Sequence, residues 1–260
     1  YPLKHLKKQI FWYLQGKVLR DANEVLFTCE EEKKLAHGVF WGYRYQPHVV
    51  AFGAPDVPNY EFSDRALLSQ ILPNLGEKPY LLFLSRIHEK KGCDILLKGF
   101  AQAKKRDDLQ LVIAGPCDSD LEDNLKKLAD TLGISHQLHW PGMLRNEYKY
   151  IAFKQAEAFI LISHQENFGI SVAESLAYGK PVLISNKINI WREIESGKGG
   201  FISSDTVNGA VDVIEKWELL DCSEKLAMGL NARKVYESNF TVQKATQELT
   251  NTLIRAKNSN

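Results

Sequence analysis

Residues 80–94 read Tyr-Leu-Leu-Phe-Leu-Ser-Arg-Ile-His-Glu-Lys-Lys-Gly-Cys-Asp. The first five are apolar without alternation, the pattern of a strand covered on both faces. A mostly polar, basic stretch follows and ends at Gly92, after which a helical period begins near residue 94. Outward from here the same unit recurs. Short apolar runs stand at Leu109–Ala114, Gln137–Trp140, Ala158–Ser163, Pro181–Ser185 and, more weakly, Gly199–Ile202. Helical stretches separate them near 94–106, 119–132, 146–156 and 169–178, and three more follow near 206–218, 223–237 and 241–256. Such alternation predicts an α/β fold, a doubly wound, Rossmann-like parallel sheet with C-terminal helices.

Residues 1–60 do not begin such a series. They read as a helix, a strand at Glu24–Cys29, a short helix opened by Glu30, Glu31 and Glu32, and an extended run at His48–Phe52. A Gly/Pro/Asp-rich linker occupies Gly53–Pro58. This part is read as the tail of a preceding domain joined to a complete second one. Because the chain starts with Tyr1 rather than Met, it is expected to be a piece of something longer.

The bulk composition excludes several classes. The 260 residues are 44% apolar and 25% charged, ordinary values for a soluble globular protein. A net charge of +1 gives no pull toward nucleic acid. No apolar run approaches the ~20 residues that cross a bilayer, and no signal peptide is expected. Cysteines at 29, 93, 117 and 222 show no metal or disulfide spacing, which predicts a reducing, cytoplasmic compartment. Locally, Lys4, Lys7, Lys8, Lys17 and Arg20 are interleaved with apolar residues such as Leu3, Leu6, Ile10, Trp12 and Leu14. That stretch reads as a packed helix, with peripheral contact at the inner face of an anionic membrane as the alternative.

In an open α/β sheet, ligands bind beyond the carboxyl ends of the strands where strand order reverses. With the common order 3-2-1-4-5-6, that crevice lies between the strands at 80–84 and 158–163. The first is followed by Ser85, Arg86 and Lys91; the second by His164, Glu166, Asn167, Phe168 and Gly169, then a helix carrying Glu174. Arg86 offers a planar fork to phosphate oxygens and Lys91 a point charge. Gly169 permits close backbone approach, and the helix start suits an anion. Glu166 repels phosphate and is expected to face hydroxyl groups, while Glu174 leans back toward the helix start, within reach of a ribose.

Glu166 to Glu174 matches the E-x7-E motif of family 4 glycosyltransferases, which are retaining GT-B enzymes. Ser85-Arg86…Lys91-Gly92-Cys93-Asp94 is similar to that family's G-R-x(4)-K-G-x-D stretch, with Ser85 in place of the usual Gly. The resemblance covers roughly Asp21 to Phe240. It implies a donor-binding domain over 56–240, a remnant of the N-terminal acceptor domain with linker over 1–55, and a helix at 241–260 that crosses back toward that domain. It further implies transfer of a hexose from a nucleoside diphosphate sugar, UDP as first choice, to a glycan or lipid-linked hydroxyl acceptor. Front-face attack would need no protein nucleophile, and the leaving diphosphate would take the acceptor proton. Arg86 and Lys91 would hold the diphosphate, Glu166 the sugar and Glu174 the ribose. Backbone groups of Phe168, Gly169 and Ile170 would meet phosphate or sugar, with Ser85 and Gly115 also at the donor and the Met143-Leu144 stretch at the base. No cofactor and no metal are implied, because cations and a helix dipole neutralise the leaving group.

Plainer readings stand beside these. Arg86 and Lys91 are the kind of residue that often sits solvated in a loop, Glu174 that often pairs with a nearby cation, and Glu166 that often caps a helix. His164 and Asn167 divide evenly between site and scaffold. Asp118-Ser119-Asp120 spells the DxD metal motif of another glycosyltransferase fold, but Ser119 with Glu122 also fits a capping box. A dehydrogenase would place G-x-G-x-x-G after residue 84, where this chain has cations. A nucleotide-sugar-binding module without transfer, or a GT-B epimerase, are the functional alternatives.

Overall fold

The computed structural model describes residues 2–38, 44–58 and 64–258. In chain order the elements begin with α1 (Pro2–Asp21), β1 (Val25–Phe27), α2 (Glu30–Ala36), β2 (Pro47–Val49) and α3 (Asp64–Ile71). The alternating series follows as β3 (Tyr80–Leu84), α4 (Cys93–Gln102), β4 (Gln110–Ala114), α5 (Ser119–Thr131), β5 (Leu138–Gly142) and α6 (Asn146–Gln155). It continues with β6 (Ala158–Leu161), α7 (Ile170–Ala177), β7 (Val182–Ser185), α8 (Trp191–Ser196) and β8 (Gly200–Ser203). Three helices close it: α9 (Val207–Leu219), α10 (Cys222–Asn239) and α11 (Val242–Asn258).

The chain divides into two compact units, Tyr1–Gly53 with Val242–Asn260, and Ala54–Thr241. In the first, β1 and β2 form a parallel pair in the register Val25 to Pro47 and Phe27 to Val49. Glu32 accepts from the Thr28 amide at 2.7 Å while the Cys29 thiol accepts from the Glu32 amide at 3.4 Å, so two helix-start donors are satisfied at α2. The α11 helix belongs to this unit; Asn23 donates to the Ala256 carbonyl at 3.3 Å. Within α1 the side chains at 3, 4, 8, 12 and 14, part of the basic stretch noted above, lie outside the described residues. Among the described residues no helix is long and apolar enough to cross a membrane.

The second unit is the expected doubly wound sheet, all parallel, in the order β5-β4-β3-β6-β7-β8. The order reverses between β3 and β6. Leu82, Phe83, Val112, Ile113, Ile160 and Leu183 are fully buried, which explains why these strands lack alternation. Each such side chain contributes about 1.5–3 kcal/mol relative to exposure. Two helices depart from the sequence reading. α3 lies just beyond the linker and is only 8 residues long, and α8 has 6 residues with Ile194 alone buried. Neither is long enough to show a helical period. The capping assignment at 118–122 is also corrected: Asp118, not Ser119, caps α5 by accepting from the Asp120 amide at 3.1 Å.

The start of this unit is clasped by α10. Arg233 donates to both Asp56 carboxylate oxygens at 2.6 and 3.1 Å and to the last-turn carbonyl of Ala177 at 2.7 Å. Tyr236 donates to the Ala54 carbonyl at 2.9 Å. The guanidinium holds the Asp56 carboxyl below its ordinary value. Because the folded value is depressed, the contribution is complete above the unfolded value near ~3.9 and fades as pH falls through the folded one. Urea unfolding of Arg233→Met should show a loss of about 1–2 kcal/mol at pH 7, discounted for the exposure of Asp56. The difference from the parent should shrink below about pH 4.

Candidate functional site

The loop that leaves β3 is fixed from three sides. The Ser85 amide donates to the Ala114 carbonyl at 3.1 Å and the Ile87 amide to the Pro116 carbonyl at 2.9 Å, so it runs beside the loop after β4. Gly115 makes that approach possible, because a Cβ there would collide with the Ser85 carbonyl. A single 3₁₀ turn at Glu89–Lys91 is capped by the His88 ring, which accepts from the Lys90 amide at 3.2 Å. The Lys90 carbonyl then accepts twice from the loop after β6: from the Ser163 hydroxyl and the His164 amide, each at 2.8 Å. One backbone oxygen thus joins the loops that flank the point of reversal.

The loop after β6 is pinned on its other side by the loop after β7. The Glu166 amide donates to the Lys187 carbonyl at 2.9 Å, and the Asn189 amide donates to the Glu166 carbonyl at 3.1 Å. Asn189 also donates to the Asn167 side chain at 3.3 Å. His164 pairs through Nδ1 with Asp205 at 2.9 Å, and this hydrogen bond holds the Asp205 carboxyl below its ordinary value.

Across the gap, Lys91 and Glu166 form an ion pair, their side chains only 16% and 17% exposed. Burial, and then the nearby Arg86 guanidinium, push the Lys91 ammonium below its ordinary value. Arg86 itself is exposed, and among the described residues its side chain has no hydrogen-bond or ion-pair partner. A free guanidinium beside a half-neutralised ammonium leaves net positive charge at the mouth of the crevice. The same mouth receives the start of α7. Gly169, at φ 76°, lets the chain turn into that helix; the Val172 amide donates to the Gly169 carbonyl at 2.9 Å, and the Ile170 and Ser171 amides have no intrahelical acceptor. Phe168 is buried, its ring edge-on to Phe240 at 5.5 Å. Ile170 is exposed.

Glu174 sits deeper and forms an ion pair with Lys149 of α6 at 2.6 Å. Sequence reasoning missed this partner, as it missed Asp205 and the pinning loop at 187–189. Lys149 is recognisable only once α6 and α7 are known to lie on the same face. Met143 is exposed and Leu144 buried, immediately ahead of α6. Asp118 and Asp120 stand apart as exposed residues of the α5 start. Among the described residues there is no cluster of three or more His, Cys, Asp or Glu arranged to hold a metal ion. The residues brought together are therefore Ser85, Arg86, Lys91, Gly115 and Glu166 to Ile170, with Glu174 bound to a cation beside them. The arrangement suits a multiply charged anion that also carries hydroxyl groups.

The family model for glycosyl transferases group 1 matches residues 64–235. The D-inositol 3-phosphate glycosyltransferase of Nocardia farcinica is 27% identical over 194 residues, 72% of this chain and 43% of that protein. An alpha-monoglucosyldiacylglycerol synthase of Streptococcus pneumoniae is 38% identical over 109 residues, 42% of this chain and 24% of that one. The matched stretches thus span less than half the length of these curated relatives. Among solved structures, Anabaena HepE in complex with UDP and glucose superposes with a TM-score of 0.80 at 20% identity, covering 95% of this chain and 67% of that one. At that identity the likeness concerns the fold, an α/β fold of GT-B type.

The charge at the crevice mouth can be titrated with inorganic pyrophosphate. Arg86→Ala should weaken binding about tenfold or more, the loss of one or two charged hydrogen bonds. Lys91 carries its charge only below its folded pKa, which is depressed. Affinity should therefore fall, as pH rises, earlier than it would with an ordinary ammonium. Comparison with Lys91→Met separates this from the ligand's own titration, and calorimetry across pH checks it.

Proposed function

The chain belongs to the glycosyl transferases group 1 family, and from that premise we propose that it is the donor-binding part of a retaining hexosyltransferase of the family 4 type. The donor is a nucleoside diphosphate sugar, with UDP as the nucleotide, and the acceptor is a glycan or lipid-linked hydroxyl. One observation carries the reading: Arg86 has no hydrogen-bond or ion-pair partner among the described residues and stands near the partly buried Lys91, at the sheet's reversal point where α7 also starts. That is a place for a diphosphate, since a guanidinium fork, an ammonium and free helix N–H groups all favour phosphate oxygens. HepE, whose fold this chain shares, has been solved with UDP, which supports the choice of nucleotide.

The remaining roles follow from what each group can offer. Glu166 already neutralises part of Lys91, so its carboxylate can stand near the diphosphate without repelling it and accept from sugar hydroxyls. Glu174 gives one oxygen to Lys149; its other oxygen is the acceptor for the ribose hydroxyls. Gly115 and Ser85 line the floor, and the Met143-Leu144 segment meets the base. Chemistry proceeds by departure of the diphosphate, stabilised by Arg86, Lys91 and the helix start, with the acceptor oxygen entering on the same face of the sugar. The acceptor proton passes to a diphosphate oxygen as the glycosidic bond forms. Fixed charges aimed at the leaving group supply the stabilisation, and no covalent intermediate with the protein is needed.

Calorimetry with EDTA present tests the reading. UDP should bind without divalent metal, and binding that required Mn²⁺ or Mg²⁺ would return attention to Asp118 and Asp120. Glu174→Ala should weaken UDP and UDP-glucose alike, by about 1.5–3 kcal/mol. Glu166→Ala should weaken UDP-glucose by a similar amount and leave UDP nearly unchanged. Equal losses for both ligands in both variants would show these two roles to be wrong.

A further inference from the structure

The crevice lies beyond the carboxyl ends of β3 and β6. At the opposite end of the sheet the second unit holds a cavity of about 760 Å³. Its inner end is formed by Ala156 and Glu157, which lead into β6, and by Lys180 and Pro181, which lead into β7. Trp217 of α9 and Leu226 and Leu230 of α10 also line it. The volume is in the range that holds a single small molecule.

Charge in the cavity is unbalanced. Lys154, Lys180, Lys225 and Arg233 line it against the single carboxylate of Glu157. Much of that charge is already committed. Arg233 is held by Asp56 and Glu237, and Lys225 lies 3.4 Å from Glu157 and 3.7 Å from Glu218. Glu157 in turn accepts from the Trp217 indole at 3.2 Å and from Arg106. Lys180 differs. Among the described residues its ammonium has no hydrogen-bond or ion-pair partner, and burial pushes its pKa below the ordinary value. The carboxylate that acts on it at longer range, Glu157, is already shared with Arg106, Lys225 and the Trp217 indole, so this half-buried ammonium gains from a further anion.

The rest of the cavity is apolar in character. Leu226 and Leu230 are 69% and 59% exposed along α10, although leucines so placed on a helix normally face a core. An apolar wall leading to an unpartnered cation matches a ligand with an apolar body and a charged end. A concave space of this size takes one molecule rather than a membrane surface.

We propose that this cavity is a second ligand site, separate from the donor crevice, for a soluble amphiphilic anion. Its carboxylate, phosphate or sulfonate group meets Lys180, and its aromatic or acyl body lies along Leu226 and Leu230. The proposal does not depend on the reading of the crevice, because it shares no residue with it.

The test is a fluorescence titration of the full 260-residue chain with 8-anilinonaphthalene-1-sulfonate, an aromatic sulfonate. One saturable site is expected, unaffected by saturating UDP and by Arg86→Ala. The dissociation constant should rise at least about fivefold in Lys180→Gln and in Leu230→Ser, a change worth about 1 kcal/mol. Thermal melts establish that each variant is folded, and Leu230→Ser, an exposed change, carries the test if Lys180→Gln is unstable. Unchanged affinity in the folded variants, or displacement of the probe by UDP, would overturn the proposal.

Discussion

Lys91 and Glu166 meet across the gap where the sheet reverses its order, and both are mostly withdrawn from water. Each sits on a loop whose backbone is committed elsewhere. Lys91 ends a capped turn whose Lys90 carbonyl is bonded twice to the opposing loop. Glu166 is bonded through its amide and its carbonyl to the loop after β7. Loss of one partner leaves the other charge buried and uncompensated, which is far more costly than the pair is stabilising. The pair therefore ties the loops after β3 and β6 together at the point of reversal, alongside the Lys90 carbonyl that bonds both Ser163 and His164.

The two ends of the sheet are used differently. At the carboxyl ends, parallel strands deliver loops and helix starts whose dipoles point outward with positive charge, so a few cations are enough to create an anion site. At the amino ends no such dipole assistance exists, and the charge found there comes from side chains alone. That contrast is why the crevice mouth favours a compact, highly charged group, whereas the lower cavity, with leucines and a tryptophan in its walls, favours a ligand with an apolar body.

Much of this was legible in the amino-acid sequence. β3 and β6 announce themselves as apolar runs because both faces are covered, and Arg86, Lys91, Glu166 and Gly169 stand out because they follow those runs directly. What was not legible depends on distances between elements far apart in the chain. Nothing in residues 146–174 says that Lys149 reaches Glu174, and nothing near His164 points to Asp205. Short helices such as α8 escaped because one buried residue sets no period. Phe168 illustrates a subtler limit: its place in the motif was plain, but only the packing on Phe240 shows that its side chain is buried in the core.

The central claim is spatial: the diphosphate lies between Arg86, Lys91 and the α7 start, with the ribose toward Glu174 and the sugar toward Glu166. A crystal structure of the chain with a non-hydrolysable UDP-sugar tests it most directly. The account predicts phosphate oxygens within hydrogen-bond distance of the Arg86 guanidinium and of the first N–H groups of α7, and ribose hydroxyls on the Glu174 oxygen that Lys149 does not occupy. A nucleotide bound with its phosphates away from Arg86, or coordinated through a metal ion at Asp118 and Asp120, would contradict it.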